Sequence, residues 1–317
     1  MRLLFTSAGR RVELIQAFRE AAVENNTNLE LIGADNSITA PAMYFCDKQI
    51  VVPKIQDEEY IPFLVSYCEE NDVDALIPTI DTDLLVLADN KSKFMKTKVI
   101  ISDAESIRLC RDKRLTAIFF SKLGLKCPSS VDDYRLYDKG FPAFIKPKDG
   151  SSSINAFRVS NTKELEIFSH IVPDYIIQPF IEGNEYTVDV FCDFDGNPIF
   201  ITPRERLAVR SGEVLKTRIC QDDRIIAEVK SIISVFRPCG PLTVQLIRDY
   251  ESNEDYFIEI NPRFGGGAPL SIKAGANSCI ALLNLLDGQV VEYIEKAAED
   301  NAVYSRFDQS IKVDYQG

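Results

Sequence analysis

Histidine is nearly absent from this sequence, and paired cysteine motifs are missing. The 317 residues include one histidine, His170, and eight cysteines, no two of which form a CxxC pair. His170 lies in a helical stretch, so we expect it to be structural rather than a catalytic base. Scattered cysteines without a paired motif indicate neither a zinc site nor a redox site. They fit reduced, mostly buried thiols, which predicts a cytoplasmic protein.

Long apolar runs and an excess of positive charge are also missing. No apolar stretch approaches the ~20 residues of a membrane helix. The opening Met1–Phe5 is followed at once by polar and basic residues, so no signal peptide is expected. The net charge is −12, which makes a nucleic-acid partner unexpected. A local basic pocket for an anionic substrate remains compatible with this charge.

Two common nucleotide-binding signatures are absent. No GxxxxGK[ST] segment occurs, and the stretch Ser7–Arg11 lacks the GxGxxG spacing. These absences argue against a P-loop enzyme and against a nicotinamide-dependent dehydrogenase.

The first hundred residues alternate short apolar runs with helical stretches. We expect strands at 2–6, 29–34, 49–52, 75–78 and 99–101, and helices at 12–25, 62–71 and 84–93. This alternation is typical of a parallel sheet with helices on both faces. Ser102 and Glu105 are spaced as a capping box, so a helix and a new unit are predicted to begin near Asp103.

The pattern changes to period two from Pro142 onward. Strands are predicted at 143–147, 156–159, 175–179, 186–194, 198–203, 242–249 and 256–261, with helices at 162–170, 222–236 and 278–286. A further helix is predicted before this region, at 114–123. Mostly hairpin-connected strands indicate an α+β unit built on antiparallel sheet. The chain is therefore predicted to be α/β in its first part and α+β in the rest.

Two of these strands carry the main functional signal. If 242–249 and 256–261 form a hairpin centred on residue 252, Gln245 lies opposite Glu259. Side chains alternate faces, so Glu259 and Asn261 share one face, while Ile258 and Ile260 anchor the strand from the other. Three oxygen ligands would then converge on one side of the sheet. Such ligands suit Mg²⁺ when phosphates and water complete its coordination.

Arg263 follows this strand on the same side and could hold a phosphate oxygen. A run of three glycines, Gly265–Gly267, comes directly after it. The alternative explanation is a half-solvated sheet edge with outward polar residues.

A second candidate segment runs from Phe144 to Ser153. Its strand carries Lys146 and Lys148 on one face, and a Gly/Ser loop with Ser151, Ser152 and Ser153 follows. Exposed amides and hydroxyls in such a loop can close over phosphate oxygens. An ordinary hairpin tip would explain the same composition.

Two further segments are compatible with nucleotide or anion binding. An apolar strand at 175–179 enters an irregular stretch whose backbone groups could pair with a purine, and Glu185 beyond it could bind a ribose. Residues 204–218 carry five basic side chains against two acidic ones, which suggests an anion pocket. A polar strand face and a solvated hairpin are the alternatives.

In this order, the segments resemble the ATP-grasp superfamily, particularly the ATP-grasp halves of the carbamoyl phosphate synthetase large subunit. The resemblance implies a Rossmann-like pre-ATP-grasp domain at 1–102, a small (lid) subdomain at 103–180 and a large subdomain with the metal site at 181–317. It also implies ATP and Mg²⁺ as cofactors, with Mn²⁺ as a possible replacement.

The resemblance assigns roles to individual residues. Nucleotide contacts are implied for Lys113, Lys146, Ser151, Ser152, Ser153, Gln178, Phe180, Ile181 and Glu185. Metal ligands are implied to be Gln245, Glu259 and Asn261, and the catalytic set to be Arg263, Lys146 and Arg218. The sequence departs from the family where Gln178 replaces the usual hinge acid. Gln245, as in the carbamoyl phosphate synthetase branch, leaves one anionic metal ligand.

The implied activity is a carboxylate–amine ligase that works through an acyl phosphate on small-molecule substrates. Its substrate pocket is expected near Ser7–Arg11, Thr79–Asp83 and the 204–218 segment, and a homodimer is possible. A carbamoyl- or carboxy-phosphate-forming enzyme and a non-catalytic ATP-binding module remain alternatives.

Overall fold

The computed structural model describes residues 1–150 and 154–313, and its first unit is a parallel sheet. Its strands are β1 (Arg2–Thr6), β2 (Glu30–Asp35), β3 (Lys48–Val51), β4 (Ala75–Pro78) and β5 (Lys98–Val99). They lie in the order β3-β2-β1-β4-β5, and every pair is parallel. The predicted Rossmann-like arrangement is confirmed.

Helices cover both faces of this sheet, as the alternation predicts. They are α1 (Val12–Glu24), α2 (Tyr60–Glu70) and α3 (Asp81–Asp89). Leu3 and Phe5 of β1 pack in one apolar core, while Leu4 between them packs in the other. Helix α3 begins three residues before its predicted start, because acidic Asp81 and Asp83 lie in its first turn, where the helix dipole favours negative charge.

The predicted capping box at the next helix is wrong, although the helix is present. Helix α4 (Ala104–Arg111) is capped by Asp103, whose Oδ1 accepts from the Ser106 amide at 2.8 Å. Ser102 is buried, and its hydroxyl accepts instead from the Cys239 amide at 3.2 Å. An aspartate directly before the first turn thus replaces the serine as cap.

A small antiparallel sheet forms a separate layer. Its strands β6 (Ala143–Pro147), β7 (Phe157–Val159) and β8 (Tyr175–Pro179) lie in the order β7-β6-β8 and carry α6 (Thr162–Ile171). Helix α5 (Lys113–Lys122) precedes this sheet in the chain but packs elsewhere, because Phe120 lies 5.3 Å from Phe257 of the large sheet. The division at residue 103 stays a prediction.

The large sheet has six antiparallel strands in the order β13-β12-β9-β10-β11-β14. They are β9 (Gly183–Cys192), β10 (Pro198–Arg210), β11 (Glu213–Ile219), β12 (Pro241–Asp249), β13 (Asp255–Asn261) and β14 (Val303–Ser305). Helix α7 (Asp223–Phe236) packs on one face. The opposite face of the sheet is covered at one end only. There it packs against the first unit and against the helices α8 (Ala268–Lys273) and α9 (Ser278–Leu286).

The rest of that second face is open, and it forms the wall of a cleft toward the first unit. Strands β11 and β14 and helix α8 are absent from the sequence-based prediction, since charged residues interrupt β11 and the other two are short. None of the helices among the described residues is long and apolar enough to cross a membrane.

Candidate active site

The predicted hairpin register is present at the site. Gln245 of β12 lies opposite Glu259 of β13, and Thr243 lies opposite Asn261. Paired residues of antiparallel strands point to the same face. The Asn261 amide Nδ2 donates to Glu259 Oε1 at 2.9 Å, so these two side chains meet. The three predicted metal ligands therefore lie together on the open face.

The apolar support behind this strand differs from the prediction. The pairing passes from Gln245–Glu259 to Leu246–Phe257, which leaves Ile258 as an extra residue in a β-bulge. Phe257 and Ile260 are buried in the core against α7, whereas Ile258 is half-buried and does not belong to that core. The bulge shifts the strict alternation, so Phe257 takes the place predicted for Ile258.

A row of polar side chains extends from this hairpin across the sheet. Gln245 also pairs with Thr187 of β9, and Thr187 pairs with Arg204 of β10. Arg204 is almost fully buried and binds Asp189, with its Nε 2.6 Å from Asp189 Oδ2. The Ser271 hydroxyl also donates to Asp189 Oδ2, at 2.6 Å. The row fixes the cleft wall next to the predicted metal ligands.

Lys146 reaches the cleft from the small sheet. This residue is 7% exposed, and burial lowers its pKa from 10.5 to about 8. Nearby Glu259 opposes this effect and Lys113 reinforces it. The Lys113 Nζ donates to Gly150 O at 2.8 Å. Lys146 thus lies near the predicted metal ligand Glu259, and Lys113 lies near Lys146. Lys148 instead pairs with Asp174 at 3.2 Å.

The predicted adenine hinge lies at the end of β8. Gln178 is buried and donates to Pro128 O at 3.2 Å, while the Phe180 amide donates to Pro142 O at 3.1 Å. The Phe180 amide therefore already has a hydrogen-bond partner beside the small sheet. Ile181 is half-buried, and the three serines of the predicted phosphate loop, Ser151, Ser152 and Ser153, lie outside the described residues.

The predicted ribose acid and the 204–218 segment meet on the same face. Arg206 Nε lies 3.2 Å from Glu185 Oε2, and Arg206 Nη2 donates to Gly212 O at 3.0 Å. Burial lowers the pKa of Arg206, while Glu185 raises it. The segment is a hairpin of β10 and β11, and its alternate residues line the cleft.

Arg218, which belongs to the predicted catalytic set, is placed on the face of the large sheet opposite the cleft. It is bonded to Glu205, and Glu205 pairs with Tyr186, a core residue on the α7 face. Arg204 and Arg206 flank Glu205 in the strand and point the opposite way, because side chains alternate. A charge count along the segment does not distinguish its two faces.

Arg263 lies on the other side of the cleft, against the first unit. Its Nη2 is 2.7 Å from Asp81 Oδ2 at the start of α3, and its side chain is largely buried. No group among the described residues accepts a hydrogen bond from its Nε. Asp81 lies in the predicted pocket segment Thr79–Asp83, so the sequence indicates its region but not its partner.

The three glycines after Arg263 allow close packing against the cleft. A Cβ on Gly267 would lie 2.7 Å from Arg204 Nη2, and one on Gly266 would lie 2.3 Å from Glu213 Oε2. Side chains at these positions would therefore collide with cleft residues. The cleft has a volume of about 290 Å³, close to the lower end of small-molecule sites.

The donor set fits Mg²⁺ bound together with a nucleotide. No group of three or more His, Cys, Asp or Glu side chains in the described part of the chain is arranged to hold a metal ion. Gln245, Glu259 and Asn261 offer two amide oxygens and one carboxylate. Oxygen ligands with little charge suit Mg²⁺ when phosphates and water supply the remainder.

Two protein families match consecutive parts of the chain. The family described as "PylC-like, N-terminal domain" matches residues 3–102, and the one described as "ATP-grasp domain" matches residues 110–267. The chain belongs to the ATP-grasp superfamily. The predicted resemblance and the predicted fold, an ATP-grasp domain behind a Rossmann-like N-terminal domain, are confirmed.

Individual relatives of this ATP-grasp protein are distant. It is 23% identical over 179 residues to a 3-methyl-D-ornithine–L-lysine ligase of Methanosarcina barkeri, a match that covers 56% of this chain and 46% of the relative. It is 23% identical over 314 residues to a carbamoyl-phosphate synthase of Methanobrevibacter smithii, covering 91% and 81%. The chain thus spans about half the length of the first relative.

Solved structures show the same fold. Biotin carboxylase of Campylobacter jejuni, solved as a β-γ-ATP complex, superposes with a TM-score of 0.76 at 18% identity, covering 95% of this chain and 74% of that one. The relatives named as ligases support the prediction of an ATP-grasp ligase.

Proposed function

We propose that the chain is an ATP- and Mg²⁺-dependent ligase that joins a small-molecule carboxylate to an amine. The reaction would release ADP and phosphate. The observation that carries this proposal is that Glu259 and Arg263 line one cleft, with Lys146 near Glu259 and Lys113 near Lys146. These residues come from the small sheet, α5, the large sheet and the loop after β13.

The cationic residues near Glu259 support phosphoryl transfer as the proposed chemistry. Catalysis of this reaction depends on positioning and on neutralising charge around the transferred group. Lys146 and Lys113 would bind phosphate oxygens, and Arg263 would face the transferred phosphoryl group. Glu259, Asn261 and Gln245 would hold Mg²⁺, or Mn²⁺ in its place, which would neutralise charge on the phosphates.

The proposed reaction has two balanced steps. A carboxylate oxygen of the substrate bonds to the γ-phosphorus while the bond to ADP breaks, which leaves an acyl phosphate. The amine then bonds to the acyl carbon and loses a proton, and phosphate departs with the former carboxylate oxygen. The cleft would keep water from the acyl phosphate during this exchange.

The test is ADP and phosphate release by the full chain with MgATP against a panel of amino acids and other carboxylic acids. We expect release to depend on one acid and one amine. Tight ATP binding with no release on any acid would favour the non-catalytic module instead.

A carbamoyl- or carboxy-phosphate activity is the second candidate. It is favoured by the carbamoyl-phosphate synthase relative, of which the match covers 81%. Bicarbonate-stimulated ATP hydrolysis without a requirement for another acid would select this alternative.

A further inference from the structure

Two adjacent arginines after β1 have opposite environments. Arg10 is a surface residue, with 86% of its side chain exposed and a long 3.8 Å ion pair to Asp308. Arg11 turns into the cleft, where 20% of its side chain is exposed and its Nη2 donates to Thr79 O at 3.2 Å. The structure therefore separates a solvated arginine from one aimed at the proposed active site.

Arg11 has little internal compensation for its charge. Within the described residues its one ion pair is to Glu213 Oε1, at 4.0 Å. Burial lowers the pKa of Arg11, and the nearby Arg263 lowers it further, while Glu213 and Asp81 oppose this effect. Two guanidinium groups from different units thus lie close enough to repel each other.

Arg263 has spare hydrogen-bonding capacity in the same place. Its Nε is buried, and no described group accepts from it. A buried, unpaired donor is costly, and a charged one more so, unless a partner binds. Two largely buried guanidinium groups, one of which has a buried donor without a partner among the described residues, suit a planar, two-oxygen anion.

One loosely held carboxylate lies beside this pair. Glu213 is 4.0 Å from Arg11 and 3.7 Å from Arg306, and 54% of its side chain is exposed. A Cβ on Gly266 would touch both the Glu213 carboxylate and Arg11 Nη1, at 2.3 and 2.9 Å. Glu213 and Arg11 therefore pack against Gly266, and both line the same cleft as Arg263.

We propose that Arg11 and Arg263 together bind the carboxylate that is activated, and that Glu213 binds an ammonium group beside it. The substrate class is then an α-amino acid, held between the N-terminal unit and the large sheet. This inference rests on the proposed ligase function, but it concerns a binding site that can be tested without turnover.

The binding test uses the thermal shift of the full chain with MgADP and each standard L-amino acid. We expect at least one amino acid to raise the melting temperature of the wild type. Its analogue without the amino group should bind more weakly. In Arg11→Ala the affinity for that amino acid should fall on the order of 10- to 100-fold, as for a lost charged hydrogen bond.

Arg10→Ala is the matched control, since it removes a neighbouring arginine outside the cleft. It should bind the amino acid as the wild type does, and Arg11→Lys should fall between the two. MgADP affinity should be unchanged in every variant, which also reports that each is folded. Equal amino-acid affinity in Arg11→Ala and the wild type would overturn the site, and no response to any amino acid would overturn the substrate class.

The two proposals fail in different ways. An amino acid that binds through Arg11 but never stimulates ADP release would overturn the ligase function and leave the site. ADP release that requires a carboxylic acid without an amino group would keep the ligase function and overturn the inference.

Discussion

Replacing Lys146 with methionine should make the ligand-free protein more stable near neutral pH while weakening its hold on ATP. Lys146 is 7% exposed, and burial lowers its pKa from 10.5 to about 8. At about 1.4 kcal/mol for each unit of pKa, a fall of about 2.5 corresponds to ~3 kcal/mol spent on keeping this charge buried. Methionine fills a similar volume without the charge.

The sign of the pH dependence follows from proton binding. Between pH 8 and 10.5 the unfolded chain binds more protons at Lys146 than the folded chain, so the free energy of unfolding rises with pH. In the wild type this rise should be ~3 kcal/mol over that window, and in Lys146→Met it should be missing. At neutral pH the variant should therefore be the more stable of the two.

The assay is urea unfolding of both proteins from pH 7 to 10.5, with the difference between them plotted against pH. Other titrating groups cancel in that difference. Lys148→Met is the matched control, and we expect a smaller change from it because 31% of the Lys148 side chain is exposed. A wild-type-minus-variant difference that stays flat across the window would refute the buried charge. ATP affinity that is unchanged in Lys146→Met would refute its proposed role.

Three further predictions concern other residues. Glu259→Gln should abolish Mg²⁺-dependent turnover and leave the melting temperature nearly unchanged, because it removes the one carboxylate of the proposed ligand set; wild-type turnover in this variant would contradict the metal assignment. Gly267→Ala should lower the free energy of unfolding by about 1–3 kcal/mol, because the new Cβ would lie 2.7 Å from Arg204 Nη2; an unchanged urea midpoint would contradict this packing. Burial, aided by Asp255, raises the pKa of Glu228 from 4.5 to about 7, so wild-type stability should fall as pH rises through that interval. Glu228→Gln should then be more stable than the wild type at pH 8 but not at pH 4.5. Urea unfolding curves of the two proteins that coincide at pH 8 would contradict the raised pKa.

The elements that the sequence predicts well are those with a regular local pattern. The alternation of strands and helices in the first hundred residues predicts the parallel sheet. The residue numbers of paired residues in an antiparallel hairpin have a constant sum, which places Gln245 opposite Glu259. Both depend on short-range periodicity that apolar burial enforces.

The features that differ depend on irregular geometry. A bulge at Ile258 moves Phe257 into the core, and no local sequence signal marks it. A count of charge treats Arg206 and Arg218 alike, yet the two side chains lie on opposite faces of the sheet. Side chains alternate between the faces along each strand, and the register shift next to Arg206 changes which residues share a face. Tertiary partners decide such positions.

The cleft itself is the least predictable feature, since it forms between units. Arg11 and Asp81 lie in segments that the carboxyl ends of β1 and β4 indicate. Their meeting with Arg263 and Glu213 depends on how the N-terminal unit packs against the large sheet. Sequence spacing contains no information on that distance.

The central claim is transfer of a phosphoryl group to a substrate carboxylate, and isotope transfer tests it most directly. The acid that stimulates ADP release would be labelled with ¹⁸O in its carboxylate, and the released phosphate analysed by mass spectrometry. We predict that each phosphate carries one ¹⁸O from the carboxylate. Phosphate that contains oxygen from water instead would contradict the acyl-phosphate mechanism.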